Sequence, residues 1–356
     1  MSIHALGTAN PFHKSAVKVG SATLNLPTIQ TSDNYPACHD VFKVIAPLTQ
    51  TPSWGVYVDF SVDNSSIDVL ADLVLVLGVS ALTTTGGTFK RFVAGVENFI
   101  DHIEITTGDQ TIEWVYPESI SIRNAFLKLD EQKRRLYLAS GNDTSANLVT
   151  AAASAQQFFL SIPSYYNTNG GWYLKGQATP LKLRIVMRNL TDIVVTDGTL
   201  PVASITSVSL RSVGRDFDSQ ATNQALIQNQ VKAGNYAFRY LIPVHQPKNS
   251  LVYGTTSYSI NLSSLIGTFS HIFIIVRNSS SITTALSNDP NAYIPLSTFS
   301  IKNSSGSIIP AGIAMDSSYN LTYYNNMYWS GNGADVNTGL ANGSKNIYSI
   351  VFSEQP

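Results

Sequence analysis

The sequence predicts an all-β protein built as two consecutive β-sandwiches, and three observations lead to that prediction. Runs of alternating apolar and polar residues recur along the chain, and a period of two is typical of half-buried strands. A strand, glycine turn and strand around Ile105 has a counterpart around Ile301, 196 residues later. Between the halves, residues 216–232 contain no Gly or Pro and favour a helix bounded by Gly214 and Gly234.

The first half contains closely spaced strand patterns. Five stretches have apolar periodicity: residues 54–60, 69–79, 157–162, 180–188 and 205–213. The second of them is almost continuously apolar and suits a central strand buried on both sides. In the fourth, the residues that face one way are apolar: Leu181, Leu183, Ile185 and Met187. We expect loops in the stretches rich in small or polar residues: 83–88, 140–155 and 165–176.

A hairpin that leads directly into a helix is the most unusual feature of the first half. Residues 103–106 alternate, residues 107–110 contain Gly108 as a turn residue, and residues 111–116 form the returning strand. Pro117 has no amide for a strand ladder but suits the first turn of a helix. Apolar residues at helical spacing then predict a helix to about residue 138.

The second half repeats this order with different residues. Its predicted strands are residues 236–244, 270–277 and 346–352, with a hairpin over residues 299–309. We therefore divide the chain into four parts: an N-terminal arm (1–35), a first sandwich (36–214), a linker helix (215–234) and a second sandwich (235–356).

The composition limits the classes of function. Of the 356 residues 44% are hydrophobic and only 13% are charged, and the net charge of −1 argues against a specific nucleic-acid partner. Between residues 248 and 356 there are four Lys or Arg residues and four acids. Such surfaces are favoured where neighbouring proteins cover them, because charge is depleted at interface cores.

Cysteine content and hydropathy exclude further classes. The single cysteine, Cys38, allows neither a disulfide framework nor a cysteine-based metal site within one chain. The first 20 residues lack an apolar core, so we expect no secretory signal, and the longest apolar run is too short to cross a membrane.

Two groups of residues could carry chemistry. His102 lies between Asp101 and Glu104, but one histidine with carboxylates offers too few ligands for zinc, and we expect a structural histidine.

Asp109, Glu113 and Glu118 could provide a carboxylate pair for sugar hydrolysis, although hairpin turns and helix starts attract acids anyway. Nucleotide-binding, nucleophile-elbow and HExxH motifs are absent. We predict no catalytic, cofactor-binding or metal-binding residue and no enzymatic activity.

Three segments resemble landmarks of one family. The hairpin and helix start, HIEITTGDQTIEWVYPESISI, resembles the strand–turn–strand–helix segment of the double jelly-roll major capsid proteins of the adenovirus, tectivirus and large DNA virus lineage. QFFLSIPSYYNTNGGWYLKGQATPLKLRIVMR is similar to the family's second landmark, and DFDSQATNQALIQNQV resembles its helix into the second roll. The short loops and the length are closest to members from small membrane-containing icosahedral viruses of bacteria or archaea.

The resemblance implies a fold and a role. Each chain would hold two consecutive eight-stranded antiparallel jelly rolls with a few inserted helices. Three chains would form a pseudo-hexagonal capsomer that tiles an icosahedral shell, with neighbouring capsomers and penton and minor capsid proteins as partners. The N-terminal arm would lie above an internal viral membrane, and the protein would be assembled in the host cytoplasm into the virion capsid.

Two other functions remain open from the residues. A two-domain carbohydrate-binding or host-attachment protein would use stacking aromatics such as Tyr165, Trp172, Tyr324 and Trp329. The cluster that contains the last two suits packing or an interface better than a sugar platform. A β-sandwich glycosidase would use carboxylates among Asp101, Glu104, Glu113 and Glu118.

Overall fold

The structure is a computed structural model, which describes most of the first half of the chain and short parts of the second. The described residues are 38–48, 51–63, 67–126, 139–141, 143, 145–164, 172–177, 179–217, 271–276, 302–303, 306–307 and 348–351. Within them the protein is mostly antiparallel strand. No helix in these ranges is long and apolar enough to span a membrane.

The secondary structure comprises seventeen strands and two α-helices within the described ranges. In chain order the strands are β1 (Cys38–Ile45), β2 (Tyr57–Val62), β3 (Val69–Val79), β4 (Thr83–Thr85), β5 (Lys90–Phe92), β6 (Ile100–Thr107), β7 (Gln110–Val115), β8 (Gln156–Ser161), β9 (Trp172–Tyr173), β10 (Leu181–Met187), β11 (Val194–Thr196), β12 (Thr199–Val202), β13 (Ile205–Phe217), β14 (His271–Ile274), β15 (Lys302–Asn303), β16 (Gly306–Ser307) and β17 (Tyr348–Val351). The helices are α1 (Pro117–Phe126) and α2 (Ser145–Ala152).

Two sheets make the first half an eight-stranded jelly roll. One sheet has the order β1-β13-β3-β8, with β9 also paired to β3, and the other has the order β2-β10-β6-β7. When the eight main strands are lettered B to I along the chain, the sheets are BIDG and CHEF, the strand order of a jelly roll made of two Greek keys. The predicted first roll is therefore confirmed.

The space between the sheets is filled by alternate residues of their strands. Leu181, Leu183, Ile185 and Met187 of β10 are buried, as their alternation predicts. They belong to one continuous apolar cluster to which β2, β3, β6, β8 and β13 also contribute. Burying such side chains supplies most of the stabilisation of a sandwich, at about 1.5–3 kcal/mol for each large one.

The connections at one end of the roll form additional structure. β4 pairs with β12 and β5 pairs with β11, so the loops between β3 and β6 and between β10 and β13 are joined. Phe99 lies beneath them, with ring centroids 5.9 Å from Trp54, 5.6 Å from Phe92 and 5.2 Å from Phe158. The aromatic cluster closes this end of the apolar layer.

Several local predictions are confirmed. β3 covers the whole continuous apolar run and lies inside its sheet between β13 and β8. The hairpin of β6 and β7 turns at Gly108 and Asp109, and Gly108 has a φ of 59°, as a two-residue turn with glycine first requires. α1 begins at Pro117, and its predicted continuation over 127–138 lies outside the described residues.

Three predicted loops contain regular structure instead. Residues 145–152 form α2, because small residues such as alanine favour a helix even without a broad apolar stripe. Residues 83–85 form β4. Its partner β12 is more than 100 residues away in sequence, so a local pattern of residues does not predict the pairing. Residues 172–176 form β9 and a 3₁₀ turn, while residues 165–171 lie outside the described part.

The end of the first roll differs slightly from the prediction. β13 extends to Phe217, so Arg215, Asp216 and Phe217 belong to a strand and not to the predicted linker helix of residues 215–234. The remainder of that helix, residues 218–234, lies outside the described residues, as does the predicted arm, and the four-part division of the chain stays a prediction.

The described parts of the second half agree with its predicted strands. β14 pairs antiparallel with β17. β14 lies within the strand predicted at 270–277, and β17 lies within the strand predicted at 346–352. β15 and β16 pair through Lys302 with Ser307 and Asn303 with Gly306, at the centre of the predicted second hairpin. The strand predicted at 236–244 lies outside the described residues.

Asp68 ties three segments together where the chain leaves the first roll. Asp68 is 2% exposed. Its carboxylate accepts hydrogen bonds from the backbone N–H of Phe217 at 2.8 Å and from Lys175 Nζ at 2.8 Å. Its own N–H donates to Asp216 Oδ1 at 2.9 Å. Asp68 thus holds the end of β13 against the β2–β3 and β8–β10 connections.

We expect Asp68→Ala to destabilise the first roll by about 3 kcal/mol, because it removes the buried acceptor of an ion pair and of a backbone N–H. Urea unfolding of the full chain measures the loss. The matched control is Asp40→Ala, which removes an exposed pair with Arg215 at 3.4 Å and should change stability by less than about 1 kcal/mol. Equal effects of the two changes would contradict this account.

Asp197 connects the loop before β12 to the residues before β5 in a pH-dependent way. It accepts hydrogen bonds from the backbone N–H of Phe89 at 2.8 Å and of Thr88 at 3.1 Å, which lower the pKa of Asp197 below its ordinary value. The folded state therefore stabilises the ionised carboxylate of Asp197 relative to its protonated form.

The stabilisation from Asp197 should be present above the unfolded pKa of about 4 and disappear as the pH falls through the lower folded pKa. We expect Asp197→Asn to be less stable than wild type at pH 7, with the difference closing below about pH 4. Thermal unfolding of both proteins across that range measures it. A difference that is constant with pH would show that ionisation of Asp197 is not the cause.

Candidate functional surfaces

The outer surface of the β2-β10-β6-β7 sheet concentrates aromatic and charged side chains. We call it the ionic face; its central residues are Tyr57, Asp59, His102, Glu104, Trp114 and Arg184. The face exists because every second residue of these strands points away from the apolar layer. It is about 14 Å wide from β2 to β7, which is three strand spacings.

The strand register brings opposite charges side by side. Asp59 is opposite Arg184, Arg184 is opposite Glu104, and Glu104 is opposite Trp114. The row therefore alternates in sign across β2, β10 and β6 and ends in an exposed aromatic ring. Directly opposed residues of antiparallel strands are close enough for such pairs to interact.

Arg184 is the centre of this row. Its Nε lies 2.9 Å from Asp59 Oδ1 and its Nη2 lies 3.2 Å from Asp59 Oδ2, a bidentate geometry. Its guanidinium carbon is 4.3 Å from the ring centroid of Tyr57. The hydrogen bond with Asp59 is the largest of the effects that raise the pKa of Arg184, so the side chain stays cationic and fixed in position.

His102 connects the row to the aromatic edge of the sheet. Its Nδ1 is 2.8 Å from Asp101 Oδ2 and its Nε2 is 3.4 Å from Glu104 Oε1. The imidazole centroid lies 5.0 Å from that of Trp114. Among the described residues no three His, Cys, Asp or Glu side chains converge as metal ligands, and both ring nitrogens of His102 have a carboxylate neighbour.

The carboxylates considered for sugar hydrolysis are not brought together. Asp109 is exposed in the turn, whereas Glu113 is buried on the core side of β7 and accepts a hydrogen bond from Ser164 Oγ. Glu118 is buried in the first turn of α1, where a carboxylate suits the helix dipole. Glu104 is on the opposite side of the sheet from Glu113, so these two acids do not face each other.

Of the aromatic residues considered for sugar stacking, only Trp172 lies in the described part of the chain. Trp172 is half-buried in β9 and packs against the core, so its ring offers no open platform. Tyr165, Tyr324 and Trp329 lie outside the described residues.

Sequence reasoning missed the exposed aromatics of the ionic face. Trp114 is 42% exposed and Tyr57 is 38% exposed, although neither was singled out as a functional residue. The available signal was the fixed alternation of β2, in which Tyr57 precedes the buried Val58 and therefore points outward.

A second surface lies on the opposite side of the sandwich. We call it the apolar face; it is the outer surface of the β1-β13-β3-β8 sheet around Phe42, Val44, Val74, Phe159, Arg211 and Val213. Phe42 and Val44 are 74% and 71% exposed, among the most exposed large apolar side chains of the described residues. The Arg211 guanidinium lies 5.5 Å from the Phe159 ring centroid and so crosses β3.

Comparison with known proteins gives structural matches. No protein-family profile matches the sequence, and no curated protein is significantly similar to it. A chain of the 3.5 Å cryo-EM structure of the Sputnik virophage matches 90% of this chain and 78% of that one, with 11% identity and a TM-score of 0.55. The crystal structure of the STIV MCP matches 88% of this chain and 85% of that one, with 12% identity and a TM-score of 0.42.

A third match is the crystal structure of PBCV-1 VP54 fitted into a reconstruction of Sputnik. It covers 56% of this chain at 16% identity with a TM-score of 0.40, and this chain spans only 48% of that protein's length. These neighbours are viral double jelly-roll major capsid proteins, as the sequence resemblance predicts. The Sputnik match extends over nine-tenths of the chain, and the predicted fold of two consecutive antiparallel jelly rolls is confirmed.

Proposed function

We propose that this protein is a major capsid protein, a structural subunit whose homotrimers form pseudo-hexagonal capsomers that tile an icosahedral shell. The observation that carries the proposal is the complete BIDG–CHEF roll of the first half within a fold that matches a virophage chain over 90% of this sequence. Two such rolls in each of three chains give six similar units, which is the number that a hexagonal outline needs.

The surface chemistry supports a role in assembly. Only 13% of the residues are charged, and the exposed anchors on the two outer faces are Trp, Tyr, Phe and Arg, the types enriched at protein interfaces. Neighbouring capsomers and penton and minor capsid proteins are the partners in this proposal. The protein would be assembled in the host cytoplasm and reside in the virion capsid, with its N-terminal arm, residues 1–35, toward an internal membrane.

The proposal includes no catalytic role. Glu104 and Glu113 are on opposite sides of one sheet, Glu118 is in α1, and His102 is engaged with Asp101 and Glu104. General acid–base hydrolysis of a sugar needs two carboxyl groups that flank one bond, at separations of about 5–10 Å across open space. Glu104 and Glu113, which face opposite sides of their sheet, do not provide that arrangement.

We expect the purified protein to sediment as a trimer and to show hexagonal outlines of uniform size in negative stain. The reason is that six rolls of similar section close a ring only when three chains associate. Sedimentation velocity over a hundredfold range of concentration gives the stoichiometry, and imaging gives the symmetry. A chain that remains monomeric throughout, or that forms rings of another symmetry, would contradict the proposal.

Carbohydrate binding is the alternative that one observation favours, namely the exposed Trp114 ring beside polar groups on a flat face. If the capsid proposal holds, a glycan array should give no signal that depends on Trp114. Wild type, Trp114→Ala and the matched exposed control Leu200→Ala are compared on the same array. Specific binding that is lost at least tenfold in Trp114→Ala alone would favour the alternative.

A further inference from the structure

Lys175 and Asp68 form an ion pair between two connections of the first roll. Lys175 Nζ lies 2.8 Å from Asp68 Oδ1, and the side chain of Asp68 is only 3% exposed. The lysine reaches the carboxylate from the surface, since its own side chain is 31% exposed. Desolvation of two charges can cancel their attraction, so a gain in stability alone does not account for such a pair at a buried position.

The backbone on both sides of the pair holds it in place. β9 pairs with the start of β3. Directly beyond that ladder, the N–H groups of Leu174 and Lys175 both donate to the carbonyl oxygen of Asp68, at 2.9 Å and 3.3 Å. Oδ2 of the Asp68 carboxylate accepts the N–H of Phe217 at 2.8 Å. The carboxylate is therefore fixed with Oδ1 toward the amine.

The surroundings of the pair disfavour charge. Ile67, Tyr173, Leu174 and Phe217 are all buried, and the rings of Tyr173 and Phe217 have centroids 6.5 Å apart. Burial, followed by the charge of Asp68, raises the pKa of the Tyr173 phenol above its ordinary value. A charged group in such a site is poorly solvated, and a neutral product there is favoured over two ions.

A lysine amine and a carboxyl group that are held in contact can condense to an amide. Proton transfer from the ammonium to the carboxylate first gives an amine and a carboxylic acid. The lone pair of Lys175 Nζ then forms a bond to Cγ of Asp68. The C–OH bond breaks, and the hydroxyl leaves with a proton from the nitrogen. The products are one amide and one water, and no oxidant or other reactant is consumed.

The geometry of the pair favours this condensation. Because Cγ is one bond beyond Oδ1, the Lys175 nitrogen is already near the separation of about 3–3.5 Å from which positioned groups react. Well-oriented groups behave as though present at roughly 10⁵–10⁸ M, which offsets the excess of water that drives amides toward hydrolysis. Amide formation also removes the cost of keeping two buried ions.

We propose that Lys175 and Asp68 become joined by an intramolecular isopeptide bond after the first roll has folded. The bond closes a covalent loop from residue 68 to residue 175, which restricts the unfolded chain and so opposes unfolding. The inference goes beyond the proposed function and does not depend on it, because both residues belong to one chain.

The intact mass of the denatured full-length chain tests the bond. Wild type should be lighter than its sequence by one water, and a tryptic map should contain one branched peptide that joins Asp68 to Lys175. Lys175→Arg keeps the cation but has no primary amine, so it should have the full mass of its sequence. The matched control is Lys182→Arg, on the exposed side of β10, which should still lack one water. A disulfide cannot produce this change, because the chain has a single cysteine.

A denaturing gel gives a second readout. Wild type should migrate faster than Lys175→Arg, since a closed loop keeps the denatured chain more compact. The wild-type peptide map is decisive even where Lys175→Arg folds poorly. Separate, unmodified peptides for Asp68 and Lys175 in wild type, or a loss of water that persists in Lys175→Arg, would overturn the proposed bond.

Discussion

The apolar layer between the two sheets is the constraint on which the rest of the first roll depends. Each strand can add to this layer only by turning alternate residues inward, and a register slip of one residue would reverse that choice along the strand. Phe99 links the layer to the connections at one end, since its ring contacts Trp54, Phe92 and Phe158 from three separate segments. Because the inner residues alone form the apolar layer, the outward-facing residues of the same strands are not constrained by it.

The sequence predicted the parts of this fold that are encoded by local periodicity. β3 and β10 were identifiable because a continuous apolar run and a strict apolar alternation are both typical of strands. β4 was not, because a three-residue strand is stabilised by its distant partner β12. α2 was missed for another reason: its small residues bury only Leu148 and Ala152, so helix propensity decides the conformation and the apolar pattern is weak.

The ionic face shows why surface roles are harder to predict than strands. Alternation alone would place the polar Glu113 outside and the aromatic Trp114 inside, yet β7 has the opposite arrangement. Val115 and Glu113 face the core, and the hydrogen bond from Ser164, 51 residues later, compensates for the buried carboxylate. That compensation comes from the connection between β8 and β10, and no local pattern within β7 contains it.

The charged row across the ionic face contributes little to the stability of the single chain. Asp59 and Arg184 are partly exposed, and such pairs are typically worth less than about 1 kcal/mol. In the proposed assembly their value would be geometric, because a row that alternates in sign accepts a neighbouring surface in one register and rejects shifted ones. Under the proposed function such a register would help many identical copies to associate in a single geometry.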